Sequence, residues 1–284
     1  MIRSLPNSRR YLYSYKLYMA LYFAFLFAPL VVTCVLAFND SQFPALPWKG
    51  FTLEWFTGDL PQRVGIFHDS MNLESIWVSA QVAFFVTILS VTVGTCAAFL
   101  FEQEEFPFKA ALYFLMLAPL VIPGVILGIS ILLFSNTLGL YFETRWGVDV
   151  PLFRPGFWLV VLGQFSFIAT LVTLVVSARL RKFDRTLEEA ALNLGANRLE
   201  VIWHITLKFL RPAIVGAAAV AFLMSFENFN TTLFLTGSET TLPINLYLQV
   251  RDGSTPVINA ISFLLIIGTS LAAIVNLYFS RKQD

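Results

Sequence analysis

The chain has 284 residues, 57% of them hydrophobic and 13% charged, with a mean hydropathy of +0.72 and a formal net charge of +1. So few polar residues cannot coat a soluble globule of this length, which makes membrane integration the first reading. The near-neutral balance argues against nucleic acid as a partner. The two cysteines, Cys34 and Cys96, lie inside apolar runs without metal-ligand spacing and read as small buried hydrophobes.

A helix needs about 20 apolar residues to cross a bilayer. Six stretches qualify, at 17–38, 76–101, 110–134, 157–178, 213–235 and 257–279, and predict a single all-α polytopic membrane domain over 1–284. Arg3, Arg9, Arg10 and Lys16 precede the first stretch, as in a secretory signal. That stretch exceeds the roughly 7 to 15 residues of a signal core and no small-residue cleavage site follows, so it reads as a retained helix. With the N-terminus inside, the cytoplasmic side holds those four residues, Lys109, seven more between 179 and 212, and Arg281 with Lys282. Only Lys49, Arg63, Arg145, Arg154 and Arg251 are left outside. The excess selects both termini cytoplasmic.

The segment 39–75 is the longest external loop and carries Trp48, Phe51, Trp55 and Phe56 among Pro44, Pro47 and Pro61. Aromatics of this kind favour the membrane interface, and the loop is expected to fold back as a lid on the outer face or to offer a surface to an external partner. In the third stretch, Pro119 and Pro123 remove two backbone donors and Gly124 follows, so the helix must bend or break there. Carbonyls freed in lipid need cover from protein or a water cavity. The hinge either faces the bundle interior or serves packing alone.

Residues 179–212 form a charged insert between the fourth and fifth stretches. Thr186 with Glu189 fits a capping box, Gly195 is placed to end that short helix in a left-handed turn, and Asn197 with Glu200 starts a second. Leu199, Ile202, Trp203 and Thr206 then recur at helical spacing, predicting a short amphipathic helix along the cytoplasmic surface. Ala190 and Ala191 leave part of the first helix's face nearly bare, which suits close approach by another backbone.

In the fifth stretch one charge lies inside apolar sequence. Glu227 falls about 21 Å from Ala213 on an unbroken helix, and an ionisable group at that depth costs on the order of 2.5–3.5 kcal/mol unless it faces a cavity or partner. Asn230 and Thr231 would share its face, with Asn228 beside it and Phe226 and Phe229 available for cation-π contact. This stripe reads either as a cation-recognising site in a translocation path or as a hydrogen-bonded glutamate joining helices. No phosphate-binding loop ends in Gly-Lys-Ser or Gly-Lys-Thr, so ATP hydrolysis by this chain is not expected. His68 and His204 read as loop residues, and no metal or cofactor is expected.

Glu189-Ala190-Ala191, Gly195, Ile205 and Leu207 resemble the EAA signature of binding-protein-dependent ABC importer permeases of the bacterial inner membrane. The resemblance implies a coupling helix in which Glu189, Ala190, Ala191 and Gly195 dock a cytoplasmic ATPase subunit. It also implies a second permease subunit, an external solute-binding protein, and ATP with magnesium in the ATPase alone. Lys208 stands where the family has proline, while Pro212 matches a second proline of the polyamine branch. Phe38-Asn39-Asp40-Ser41, Trp48-Lys49-Gly50-Phe51-Thr52, Trp55, Thr241-Leu242-Pro243 and 254–260 are similar to the second permease of spermidine/putrescine importers. Relatives of that branch often carry an acidic pair where this chain has Glu227-Asn228, and an aspartate where it has Gly124. The expectation is a permease for a small organic cation, polyamines first. The alternatives are another solute, such as an iron complex or an amino-acid derivative, and a secondary transporter using Glu227 as an ion or proton site, against which the lack of a visible inverted repeat counts.

Overall fold

The computed structural model describes residues 9–60, 63–253 and 255–280, with side chains between Tyr11 and Leu271. Arg3, Arg281, Lys282, Pro61 and Ser254, all used above, lie outside the described residues. Among the described residues, five helices are long and apolar enough to cross a membrane, at 11–36, 70–103, 124–146, 157–180 and 198–226, with shorter apolar helices at 109–121 and 257–271. Their outer faces are apolar. Phe25, for example, is 83% exposed, which suits a lipid surround and not water. Cys34 is half-buried and Cys96 exposed on such faces, contrary to the expectation that both are buried, because lipid can take the place of protein cover there.

The chain divides into two compact units, residues 1–73 with 248–284, and residues 74–247. In the first, α1 (Arg9–Leu36) packs against α11 (Val257–Ser280). The loop after α1 is organised by Asn39, 2% exposed. Its Oδ1 accepts from the Lys49 N–H at 2.8 Å, its Nδ2 donates to the carbonyls of Ala45 and Pro47, and its own carbonyl accepts from the Trp55 indole N–H at 2.8 Å. Trp55 and Phe56, on the short α2 (Glu54–Thr57), are buried and form the loop's own core. This corrects the expectation that they mark a membrane interface. Phe38 stacks on Phe51 and Phe56 and meets the Phe263 ring of α11 edge-on. A two-residue hairpin, β1 (Asp59–Leu60) with β2 (Arg63–Val64), presents Arg63 to Glu54 and Asp40 at 2.5 and 2.8 Å and over the Trp55 ring. Those hydrogen bonds, Glu54 first and then Asp40, hold the Arg63 pKa above its ordinary value.

The second unit is built on α6 (Phe157–Leu180), which is buried along much of its length and packs on α9 (Leu207–Phe226), α4 (Lys109–Val121) and α5 (Gly124–Trp146). Val82 and Val86 of α3 (Ser70–Gln103), Ile168 and Val172 of α6, and Leu210, Ala217 and Ala221 of α9 make its core. At the end of α3, Glu102 receives a bidentate pair from Arg181, while Arg185 donates to the Glu102 carbonyl at 2.7 Å. The stretch expected at 110–134 is two helices. Pro123 disfavours helical geometry at the residue before it, and Ile122 is accordingly extended, at φ −74° and ψ 129°. A helix absent from the sequence reading, α10 (Leu242–Gly253), is tied at its start to α3, since Ser79 Oγ accepts from the Leu242 N–H at 2.7 Å.

The insert holds α7 (Thr186–Asn193) and α8 (Arg198–Val201). Gly195 has φ +93°, the Ala196 N–H bonds the Ala191 carbonyl, and the Gly195 N–H bonds the Leu192 carbonyl. This is the paired 6→1 and 5→2 bonding of a left-handed helix end. The capping box at Asn197 and Glu200 is complete in both directions. The one expected at Thr186 does not form. Asp184, two residues upstream, accepts from both the N–H and the hydroxyl of Thr186 and so starts α7 itself, and these bonds hold the Asp184 carboxyl below its ordinary pKa. The second insert helix is not a separate surface helix either. α8 runs through a π-helical turn at Ile202–Thr206 straight into α9, so Lys208 and Arg211 lie in a helix, and His204, expected in a loop, lies in that turn. Leu199 and Trp203 are exposed while Thr206 is fully buried, its hydroxyl donating to Glu188 of α7 at 2.5 Å.

Candidate functional site

The break between α4 and α5 and the end of α9 meet in a cavity of about 400 Å³ within the second unit. Pro119, Leu120 and Ile122 line it from α4 and its end, and Gly124 and Leu127 from α5. Phe167 contributes from α6, and Met224 with the run Glu227–Thr231 closes it from α9 and the turn beyond. Pro119, Gly124, Glu227, Asn228, Asn230 and Thr231, named from sequence alone, are therefore brought together. Pro123 makes the break itself. Phe226 does not reach the cavity and stacks on Phe222 instead, while Phe229, which lines it, packs its ring on Tyr247.

The polar stripe expected on an unbroken fifth helix is not there. α9 stops at Phe226 and Glu227 is its C-cap, at φ −88° and ψ 0°, so Glu227, Asn230 and Thr231 do not share a helical face and the depth inferred for Glu227 on a continuous span does not hold. Asn228 is the physical cause. Its Oδ1 accepts from the backbone N–H of Thr232 at 3.3 Å and the Thr232 hydroxyl at 3.0 Å, giving the chain a turn in place of the next helical bonds. Thr232–Phe234 then form a single 3₁₀ turn against α5.

That turn is fixed by a buried chain of hydrogen bonds which the sequence reading missed. Ser225 donates to Gln164 Oε1 at 2.5 Å, Gln164 Nε2 donates to Thr232 Oγ1 at 2.8 Å, and Thr232 passes the chain to Asn228. Gln164 and Thr232 are wholly buried and Ser225 is 3% exposed. Gln164 is the only side-chain amide of α6, and that isolation in an apolar helix was the available signal. Gly128 supplies the close approach on the other side, since a Cβ there would lie 2.6 Å from the Thr231 carbonyl oxygen. At Gly124 a Cβ would come within 3.0 Å of the Asn230 Cβ, which leaves little room for a larger residue.

Chemically, the cavity presents one carboxylate in a mixed lining, with Asn228, Asn230 and Thr231 on one side and apolar residues such as Leu127 and Phe167 on the other. Glu227 is exposed and lines it, and its carboxylate forms no hydrogen bond or ion pair among the described residues. It stands where the last carbonyls of α9 carry the negative end of the helix dipole, equivalent to about half a charge. A carboxylate gains nothing from that end by itself, but together they make a site where a cation is stabilised twice over. Among the described residues no group of three or more His, Cys, Asp or Glu could hold a metal.

Residues 90–284 match the family of binding-protein-dependent transport system inner membrane components. The chain is 30% identical over 264 residues to the putrescine transport system permease protein PotI of Escherichia coli, covering 92% of this chain and 89% of that one. It is 25% identical over 268 residues to the spermidine/putrescine transport system permease protein PotC of Haemophilus influenzae, covering 94% and 96%. Among solved structures, its fold resembles a bacterial ABC transporter involved in import of the acidic polysaccharide alginate, with a TM-score of 0.68 at 12% identity over 98% of this chain and 99% of that one. It also resembles an amino acid ABC transporter, with a TM-score of 0.53 at 17% identity over 76% and 96%.

Proposed function

The chain belongs to the family of binding-protein-dependent transport system inner membrane components, the multi-pass permease subunits of ABC importers, which are not enzymes, and from that membership we propose that it forms half of a translocation path for a small organic cation. Polyamines such as putrescine and spermidine come first, since the relatives named above are permeases for them. The observation that carries the reading is the cavity where the α4–α5 break faces Glu227 at the end of α9. Glu227, Asn228, Asn230 and Thr231 contact the passing solute, and Pro119, Pro123 and Gly124 form the hinge beside them.

The same membership supports the other partners of this proposal. Cytoplasmic ATPase subunits bind ATP and magnesium and dock on α7 and the turn that ends it, through Glu189, Ala190, Ala191 and Gly195. A second permease completes the path and an external solute-binding protein delivers the cargo. Leu194, Leu199 and Trp203, exposed at 88%, 78% and 69% around Gly195, support a docked partner there. Both termini are then cytoplasmic.

Glu227→Gln keeps the shape and removes the charge, so it is expected to insert and assemble normally while uptake of labelled putrescine falls tenfold or more. Unchanged uptake would return Glu227 to a helix-joining role and sink the cation site.

A further inference from the structure

Helical threonines in this chain often spend the hydroxyl within their own helix. Thr33, Thr87, Thr137, Thr173 and Thr269 each donate to the carbonyl four residues back. Thr206 does not. The π-helical turn gives the carbonyl four residues before it, that of Ile202, to the Leu207 N–H, and the Thr206 hydroxyl crosses to the Glu188 carboxylate of α7 instead. At 2.5 Å this bond has the length of a hydroxyl on an ionised carboxylate, a class roughly twice as strong as a neutral pair. Thr206 is wholly buried and Glu188 half-buried, so water competes for one end alone.

The helix that Thr206 belongs to joins two sites. From Arg198 to Phe226 it is continuous over 29 residues, about 43 Å at the rise of an α-helix. It begins just after the Gly195 turn, and Glu227 caps its far end beside the cavity. Rigid secondary elements of this kind carry displacement between distant sites. We infer that the Thr206–Glu188 hydrogen bond latches α7 to this rod, so that movement of a docked ATPase reaches the cavity, and that Thr206 is a positioning residue for transport. The inference rests on the docking reading above and goes beyond it by naming the bond that passes the movement on. Without the bond, α7 is held to the rod by the turn at 194–197 and by packing alone. Glu189, Ala190, Ala191 and Gly195 stay in place to dock the ATPase, but α7 is free to move without the helix end that carries Glu227.

The test uses the assembled permease–ATPase complex in lipid nanodiscs, in a background without Cys34 and Cys96, and reads the cavity directly. Asn230, which is exposed and lines the cavity, is replaced by cysteine. Its rate of reaction with a small hydrophilic thiol reagent is measured with and without magnesium and a non-hydrolysable ATP analogue. With Thr206 in place, the analogue is expected to change that rate at least about fivefold. Thr206→Val keeps the shape and removes the hydroxyl, so it should retain the ATPase and lose the response, while Thr206→Ser restores it. Glu188→Ala opens the latch from its half-buried side and should behave as the valine variant does. A response that survives in either variant overturns the latch, as does a cavity that does not respond with Thr206 in place. Loss of the ATPase from both variants overturns it too, since the bond would then serve docking or folding alone; where only one variant assembles, that one decides. If the ATPase fails to co-purify with the chain that keeps Thr206 and Glu188, the docking reading itself fails.

Discussion

Gln164 and Gly128 hold the same turn from opposite sides, one by hydrogen bonds and one by having no side chain. Gln164 spends both ends of its amide on residues 61 and 68 positions away, Ser225 and Thr232. Gly128 lets α5 touch the Thr231 backbone, where nothing flexible could yield to a methyl group. Gly128→Ala is therefore expected to lower the melting temperature of the purified protein and to reduce uptake, with a cost of about 1–3 kcal/mol from overpacking. Gly216→Ala is the control, because a Cβ there meets nothing within 4 Å. It should hold or raise the melting temperature, since alanine is favoured over glycine inside a helix by about 0.5–1 kcal/mol. If the two variants melt alike, the close approach has no energetic meaning.

At the scale of elements, the insert was legible where its signals are local. The left-handed Gly195 and the reciprocal Asn197–Glu200 cap depend on residues within five positions of one another, and they formed as read. The cap assigned to Thr186 failed to a neighbour, since Asp184 is the stronger acceptor and was overlooked. The break at Ile122–Pro123 was legible for the same reason as Gly195, because a proline constrains the residue before it whatever the fold around it. The end of α9 was not read. Apolar Phe226, Phe229, Leu233 and Phe234 carried the hydropathy past Glu227, although two asparagines and two threonines within five residues, 228–232, are the composition of a turn.

Gly195 also separates backbone from docking. Its surroundings are open, so Gly195→Ala adds only the strain of a left-handed β-carbon, whereas Gly195→Leu adds bulk to the face assigned to the ATPase. Leucine is expected to abolish uptake and co-purification of the ATPase, while alanine keeps most of both. Equal loss in the two variants would assign Gly195 to folding alone.

For the whole molecule, charge and hydropathy made a multi-pass membrane chain the first reading, and the family match agrees. The orientation proposed from the Lys and Arg asymmetry has a direct check. In a background without Cys34 and Cys96, a cysteine at Lys49 should react with an impermeant thiol reagent on intact cells, and one at Leu194 only after permeabilisation. The reverse pattern would invert the topology and remove the insert from the cytoplasm.

The sequence by itself determined what short-range chemistry can determine. It contains apolar runs long enough to span lipid, a charged insert with its own caps and left-handed glycine, a proline break, and one carboxylate among apolar residues. Only the tertiary structure decided that this carboxylate caps a helix end and was not part of a stripe along one. Nor could the sequence place the proline break opposite that cap, or turn the Asn228 side-chain oxygen onto Thr232. The reason is separation along the chain. Hydrogen bonds between positions 164, 225 and 232 set the geometry of the site, and no local pattern encodes which distant partner a buried amide will meet.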